Sequence, residues 1–160
     1  RDMSYYHSKQ LSGIDFDEAI DKTKAALKEE GFGVLTEIDM KATMKNKLDK
    51  DIPAYVILGA CNPPYAFQAL QAEDKIGTML PCNVIVQQKD EGVEVAAVDP
   101  VASMQAIVNQ DLGFIAGEIR DRLKRVVDGL WVKKKFEFLS GWLGKTTLYY
   151  QLYLTKIRTQ

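Results

Sequence analysis

The sequence predicts an α+β fold, in which one largely antiparallel sheet carries helices on one face. Segments with alternating or continuous apolar residues, typical of strands, are interspersed with segments whose apolar residues recur every three to four positions, typical of amphipathic helices. The last two predicted strands are joined by the short turn Lys89-Asp90-Glu91-Gly92, so they form an antiparallel hairpin. This order of elements favours an antiparallel sheet with helices packed on it over an all-helical fold or a parallel α/β fold.

The first predicted strand covers residues 3–8, and Ser12-Gly13 breaks it. A helix begins after Asp15, which forms an Asp version of a capping box with Glu18. Gly31 is placed to end this helix in a left-handed conformation. One apolar stripe runs along it, made of Phe16, Ala19, Ile20, Thr23 and Leu27.

Residues 32–40 alternate and predict a half-buried strand. In this strand Val34, Thr36, Ile38 and Met40 share one face, and Leu35, Glu37 and Asp39 share the other. A short lysine-rich helix is predicted over 42–48. The nearly all-apolar run 54–61 indicates a central strand.

Asn62 can cap the next helix and Pro63 suits its first turn, with the helix running to about Glu73. A strand follows over 79–88. Pro81 near its start indicates an edge position or a bulge, because proline cannot donate to a ladder.

Residues 93–98 form the return strand of the hairpin, and Asp99-Pro100 ends it. A short helix is predicted over 101–108. A long helix begins at Asp111 and ends near Gly129. Its apolar stripe consists of Leu112, Ile115, Ala116, Ile119, Leu123, Val126, Val127 and Leu130.

The charge of the chain is divided unevenly along its length. The 160 residues carry a net charge of −1, but residues 1–131 carry −6 and residues 132–160 carry +5. We therefore expect a domain over 1–131 and a basic, aromatic extension over 132–160. The extension is either an extra strand or hairpin, or a non-native tail. Basic runs are usually solvated, so this one does not favour a nucleic-acid partner.

Several functional classes lack their sequence signals. There is no apolar run of membrane-spanning length and no visible signal peptide, so we expect a cytoplasmic protein without a membrane partner. Two cysteines do not make a disulfide scaffold, and with the single His7 they cannot complete a four-ligand zinc site. Nucleotide-binding loops and nucleophile motifs are also missing.

Three stretches in combination carry a resemblance to a known family. They are Gly31-Phe-Gly-Val-Leu35, Cys61-Asn-Pro63 and Leu80-Pro-Cys-Asn83. With this spacing, residues of about 3–130 resemble the bacterial and archaeal domain of unknown function 302. The resemblance implies a fold similar to that of the TATA-binding protein and a homodimer. It implies no biochemical activity, and it does not extend to the tail after Trp131.

The same motifs supply the candidate site. Cys61 ends one predicted strand, Cys82 begins another, and the helix N-terminus at Asn62 lies between them in sequence. A helix N-terminus lowers the pKa of a nearby thiol and attracts anions. We therefore predict a ligand-binding cluster consisting of Cys61, Asn62, Pro63, Pro81, Cys82 and Asn83. Free cysteines are also often plain buried residues, and asparagine is often only a cap.

Other polar residues are weaker candidates. Glu37 and Asp39 share a strand face and could act as acid and base or bind a cation, but such a pair is more often a solvent face. His7 could ligate haem iron, although a surface or packed strand histidine is the commoner case. The tyrosines at 5, 6, 149, 150 and 153 could line a cleft or an interface.

We therefore expect a domain that binds or senses a small molecule without catalysis. One alternative is a thiol-based redox protein, or a metal or haem protein, that uses Cys61 and Cys82. A second alternative is a structural oligomerisation module. The identity of any ligand, cofactor or metal is not given by the sequence.

Overall fold

Five strands and five α-helices make up residues 4–131, the part of the chain that this computed structural model describes. The strands are β1 (Tyr6–Leu11), β2 (Gly33–Asp39), β3 (Tyr55–Cys61), β4 (Cys82–Lys89) and β5 (Gly92–Val98). The helices are α1 (Phe16–Glu29), α2 (Met40–Leu48), α3 (Pro63–Ala72), α4 (Pro100–Ser103) and α5 (Gln110–Gly129). The predicted extension over 132–160 lies outside the described residues.

The strands form one fully antiparallel sheet in the order β1-β5-β4-β3-β2. This confirms the α+β prediction and the β4–β5 hairpin. Pro81 marks neither of the two predicted features, an edge strand or a bulge, because β4 is the central strand and its register against β3 and β5 is continuous over the described residues. Pro81 directly precedes β4, so its missing N–H removes no bond from the ladder, and a 3₁₀ turn over Ile76–Met79 occupies the start of the predicted 79–88 strand.

One face of the sheet packs against α1 and α5 and forms the core; we call it the covered face. The strands contribute to it mainly small and β-branched side chains, and the core members are Leu11, Val56, Leu58, Ala60, Val84, Val86, Val93, Val95 and Ala97. The predicted stripe of α1 is buried at Ala19, Ile20, Thr23 and Leu27, and the predicted stripe of α5 is buried throughout. Helix periodicity therefore identified this side of the molecule correctly.

The end of α1 follows the prediction, but its start does not. Gly31 has a φ of +84°, and the amides of Gly31 and Phe32 donate to the carbonyls of Lys28 (3.1 Å) and Leu27 (2.9 Å), as in a Schellman motif. Asp15 is the N-cap residue, but its side chain makes no capping bond. The predicted capping box is absent, and Glu18 instead lies along the helix toward Lys22, with 3.6 Å between their charged atoms.

Three other boundaries shift by a few residues. Strand β1 lies at 6–11 rather than 3–8. Helix α2 begins at Met40 because the Asp39 side chain accepts a hydrogen bond from the amide of Ala42 (2.9 Å). Helix α4 ends at Ser103 instead of 108.

Strand β2 contains a bulge that breaks the predicted alternation. Its register against β3 shifts between Val34 and Thr36, so two residues oppose one at this point. Val34 is partly buried against the core, whereas Thr36 and Ile38 pair with residues on the opposite face of the sheet. The prediction that these three share one face is therefore wrong, and the strand is largely exposed rather than half-buried.

Candidate functional site

The structure divides the predicted cysteine cluster between two places. Cys61, Asn62 and Cys82 line a small cavity between the end of β3, α3 and α5. The other walls of this cavity are almost wholly apolar, and its volume is about 30 Å³. Pro63, the first residue of α3, and Pro81 do not line the cavity, and Asn83 points to the other face of the sheet.

Both thiols lie in surroundings that favour the protonated form. Burial raises the pKa of Cys61 above its usual range. Burial, with a smaller contribution from Cys61, raises the pKa of Cys82 to about 11. The pKa of both thiols therefore shifts in the direction opposite to the predicted lowering by the α3 N-terminus, because burial removes the hydration that favours the thiolate.

Asn62 joins two elements and does not cap α3. It occupies the N-cap position, but its side chain makes no capping bond. Its Nδ2 instead donates to the carbonyl oxygen of Glu30 (3.4 Å), which ties the β3–α3 corner to the end of α1. The side-chain amide of Asn62 therefore bonds to Glu30 and does not point to where an anion would bind at the helix N-terminus.

An ion-pair cluster follows the same corner on the helix side. Arg125 donates two hydrogen bonds to the Glu30 carboxylate, at 3.0 and 2.9 Å. These bonds are the largest reason that the pKa of Glu30 is lowered. Arg122 donates to the Glu30 carbonyl (3.3 Å), and its guanidinium lies 5.4 Å from the ring centre of Tyr65.

The other predicted polar candidates make structural contacts. The Glu37 carboxylate lies 2.6 Å from Lys24 Nζ of α1, and Asp39 caps α2. His7 Nε2 lies 2.6 Å from the Asp128 carboxylate at the end of α5. Within residues 4–131, no group of three or more histidine, cysteine, aspartate or glutamate side chains is arranged to hold a metal ion.

The face of the sheet opposite the core, which we call the open face, carries side chains in rows that follow the strand register. An apolar row crosses all five strands through Ser8, Ala96, Ile85, Ile57 and Ile38, each paired with the next. Only Ser8 at one end of this row is polar. Cross-strand neighbours of this kind lie about 4.5–5.5 Å apart at Cβ, so the row forms a continuous apolar strip.

Polar rows flank this strip on both sides. On one side Gln10, Glu94, Gln87 and Tyr55 are paired in turn across β1, β5, β4 and β3. On the other side Asn83 pairs with Gly59, and Gly59 pairs with Thr36. The open face therefore has an apolar centre and hydrogen-bonding groups along both margins.

A groove of about 440 Å³ lies on this face. Its lining includes Tyr5, Tyr6, Tyr55, Asn83, Ile85, Gln87, Lys89, Glu94 and Ala96. We call it the open-face groove. The sequence prediction named only Asn83 and the pair of tyrosines at 5 and 6 from this set. The others lie on strands whose pairing has to be known before they can be placed together.

Backbone packing beside the groove is tight at Gly59. A Cβ atom at this position would meet Thr36 Oγ1 and would lie 2.8 Å from Cγ of Pro81. Glycine therefore lets β2 and the segment before β4 approach β3 closely. This contact positions Pro81 and Asn83 at one end of the open face.

Of the helices in residues 4–131, none is both long enough and apolar enough to cross a bilayer. The amphipathic α5, the longest of them, uses its apolar side against the sheet.

Comparisons with known proteins agree on one family. The model of the family described as domain of unknown function DUF302 matches residues 7–130. The chain is also similar to the crystal structure of an uncharacterized conserved protein DUF302 from Bacillus stearothermophilus, at 27% sequence identity and a TM-score of 0.74. That likeness covers 79% of this chain and 98% of the other. Among curated proteins no match was found.

Proposed function

The chain belongs to the DUF302 family, and on that premise we propose that it is a binding domain for a small molecule, with its site in the open-face groove. The observation that carries this proposal is the groove itself, whose volume of about 440 Å³ falls in the range of small-molecule sites. An apolar floor with a few polar groups at the margins is also the usual composition of such sites.

The lining of the groove supports binding without catalysis. Among the described residues that line it, Lys89 and Glu94 are the charged groups, and neither histidine nor cysteine is present. A nucleophile beside a base, or two convergent carboxylates, would be needed for the common hydrolytic mechanisms.

The cavity at Cys61, Asn62 and Cys82 supports the proposal less well. Its volume of about 30 Å³ has room for roughly two water molecules. The raised pKa values of both thiols also disfavour the alternative of a redox pair, since the thiolate is the reactive form. We therefore propose that the ligand binds at the open face, where Asn83 is the one residue of the predicted cysteine cluster that lines the groove.

A groove-filling variant tests the proposal. Ile85→Trp fills the floor of the groove, whereas Ile38→Trp lies at the exposed edge of the same apolar row and serves as the control. A mixture of aromatic alcohol, amide and amine fragments is added to ¹⁵N-labelled protein. We expect shifts of the Asn83, Gln87 and Glu94 amides in the wild type and in Ile38→Trp, and none in Ile85→Trp. Fragments that shift only amides around Cys61 would contradict the proposal.

We also propose a homodimer that leaves the groove open. The outer sides of α3 and α5 expose large apolar residues, chiefly Phe67, Leu70 and Phe114, and such patches mark association sites more often than free surface. Light scattering should give about twice the chain mass of 18.0 kDa for the wild type and one mass for Phe114→Glu. Leu35→Glu changes an equally exposed residue on β2 and should stay dimeric. A wild-type monomer would contradict both this proposal and the oligomerisation module.

Two smaller proposals concern context. A cytoplasmic location is supported by Cys61 and Cys82, which line one cavity and are free thiols. Thiols are kept reduced in the cytoplasm. The division into a domain over 1–131 and an extension over 132–160 is supported by the family match, which ends at residue 130. Deletion of 132–160 should leave the midpoint of urea unfolding unchanged.

A further inference from the structure

We infer that the open-face groove binds a small organic cation, whose ammonium or amidinium group pairs with Glu94 and whose apolar body lies on Ala96 and Ile85. This inference rests on the proposed function, since it names the chemical class of ligand for the same groove. Three features support it: the contacts of the Glu94 carboxylate, the tyrosines that line the groove, and the charge of the domain.

Within residues 4–131, the contacts of the Glu94 carboxylate are all long. Gln87 Nε2 donates to it at 3.5 Å, and Lys89 Nζ lies 3.7 Å from the same oxygen, Oε2. Charge-assisted N–H···O bonds measure about 2.7–2.9 Å, so both contacts are well beyond the best distance. The side chain is nevertheless only 21% exposed. A half-buried carboxylate with long contacts can accept a shorter bond from a ligand cation.

The surroundings of this carboxylate suit a cation with an apolar body. Tyr55 follows Gln87 in the row that contains Glu94. Tyr6 pairs with Val98 at the other margin of the groove and stacks edge to face on Tyr5, with ring centres 5.0 Å apart. All three tyrosines line the groove. Aromatic faces attract ammonium groups within about 6 Å, which favours Tyr55 as the aromatic partner in the Glu94 row, while the apolar strip and the more distant Tyr5 and Tyr6 accept the hydrocarbon part of the ligand.

Lys89 is the competing cation, and it is a weak competitor. Its ammonium is on a flexible side chain at the hairpin, about half exposed. An exposed ion pair contributes little to stability, so a ligand cation at hydrogen-bond distance can replace it. The net charge of −6 over residues 1–131 also favours the approach of a cation over that of an anion.

Two probes of nearly equal size separate charge from shape. The 2-phenylethylammonium ion carries the cation, and 2-phenylethanol has a neutral hydroxyl in its place. Dissociation constants are measured by NMR titration for the full chain and for two variants, Glu94→Gln and Lys89→Met. Urea unfolding of each variant confirms that it is folded.

The expected results differ for each protein. The wild type binds the ammonium probe at least about tenfold more tightly than the alcohol. Glu94→Gln weakens binding of the ammonium probe by about ten- to a hundredfold and changes the dissociation constant of the alcohol by less than about threefold. Lys89→Met tightens binding of the ammonium probe by a few fold because it removes the competing cation. If Glu94 had a purely structural role, Glu94→Gln would change the dissociation constants of both probes by similar factors.

Different results would overturn the cation inference and the proposed binding function. Equal binding of both probes in the groove, unchanged by Glu94→Gln, would overturn the cation inference and leave the binding function standing. If neither probe shifts the groove amides while other fragments do, the cation inference fails alone. If no fragment shifts those amides, the proposed function fails with it.

Discussion

The two faces of the sheet are built from the same five strands, yet they use their side chains in opposite ways. On the covered face Leu58, Val84 and Val95 are fully buried, and the polar groups beside this face, such as Glu37 and His7, are paired with helix residues. On the open face Glu94 and Asn83 stand beside an apolar strip, and no helix of the described part covers them. The covered face therefore supplies the core, whereas the open face presents polar groups beside apolar ones.

Neighbouring residues of β3 provide the most direct test of this difference. Leu58 points to the covered face and Ile57 to the open face. Leu58→Ala should lower the free energy of unfolding by about 2–5 kcal/mol, because it leaves a cavity in a closed core. Ile57→Ala should cost about 1 kcal/mol or less, since water or a neighbouring side chain can fill the space. Urea unfolding of both variants measures the two values.

Equal losses of 2 kcal/mol or more in both variants, at an unchanged dependence on urea, would mean that the open face is also a closed core. A second copy of the chain covering that face would produce this result. Repeating the measurement at several protein concentrations separates this case from an effect within one chain.

The covered face could be predicted from the sequence because its signal is local. The apolar stripes of α1 and α5 and the apolar run of β3 each lie within one segment, and burial follows their periodicity. The sequence predictions were wrong where a side-chain pair within a helix, or the pairing of two strands, decided the local structure. Glu18 pairs with Lys22 along α1 instead of capping it, and the bulge at Leu35 reverses the faces of β2.

The open-face groove could not be predicted in the same way. Tyr55, Gln87 and Glu94 are ordinary strand residues when each is read in its own segment. Only the register, Tyr55 with Gln87 and Gln87 with Glu94, places them side by side. The cysteine motifs drew attention because cysteine is chemically reactive, but burial and the small cavity leave little room for that reactivity.

The two thiols offer a second test of how closed the covered face is. The pKa of Cys82 is raised from 9.0 to about 11 by burial, so at pH 8 its thiolate fraction falls by about a hundredfold relative to a solvated cysteine. Labelling by iodoacetamide is followed in Cys61→Ser, which retains Cys82, and in Cys82→Ser, which retains the less buried Cys61.

We expect Cys82 to react at least about a hundredfold more slowly than a free cysteine, and Cys61 to react faster than Cys82. Both rates should rise with pH, because the reactive species is the thiolate. Full labelling of both cysteines after unfolding in urea controls for reagent quality. A native Cys82 that reacts as fast as a free thiol would show that the cavity opens readily to solvent.

Acid unfolding gives the smallest expected effect and examines how the helix side is held together. The Arg125 hydrogen bonds lower the pKa of Glu30 below its ordinary value of 4.5. The unfolded chain therefore binds more protons than the folded chain just below pH 4.5, and stability falls as the pH decreases through this range. The contribution of Glu30 is complete above pH 4.5.

In Glu30→Gln the loss of stability between pH 4.5 and pH 3 should be smaller than in the wild type. Arg125→Gln should show the same reduced pH dependence, because the Glu30 carboxylate loses its main partner. Urea midpoints measured at half-unit pH intervals test this. An acid-induced decrease equally steep in the wild type and both variants would mean that the Glu30–Arg125 pair does not hold the end of α1 against α5.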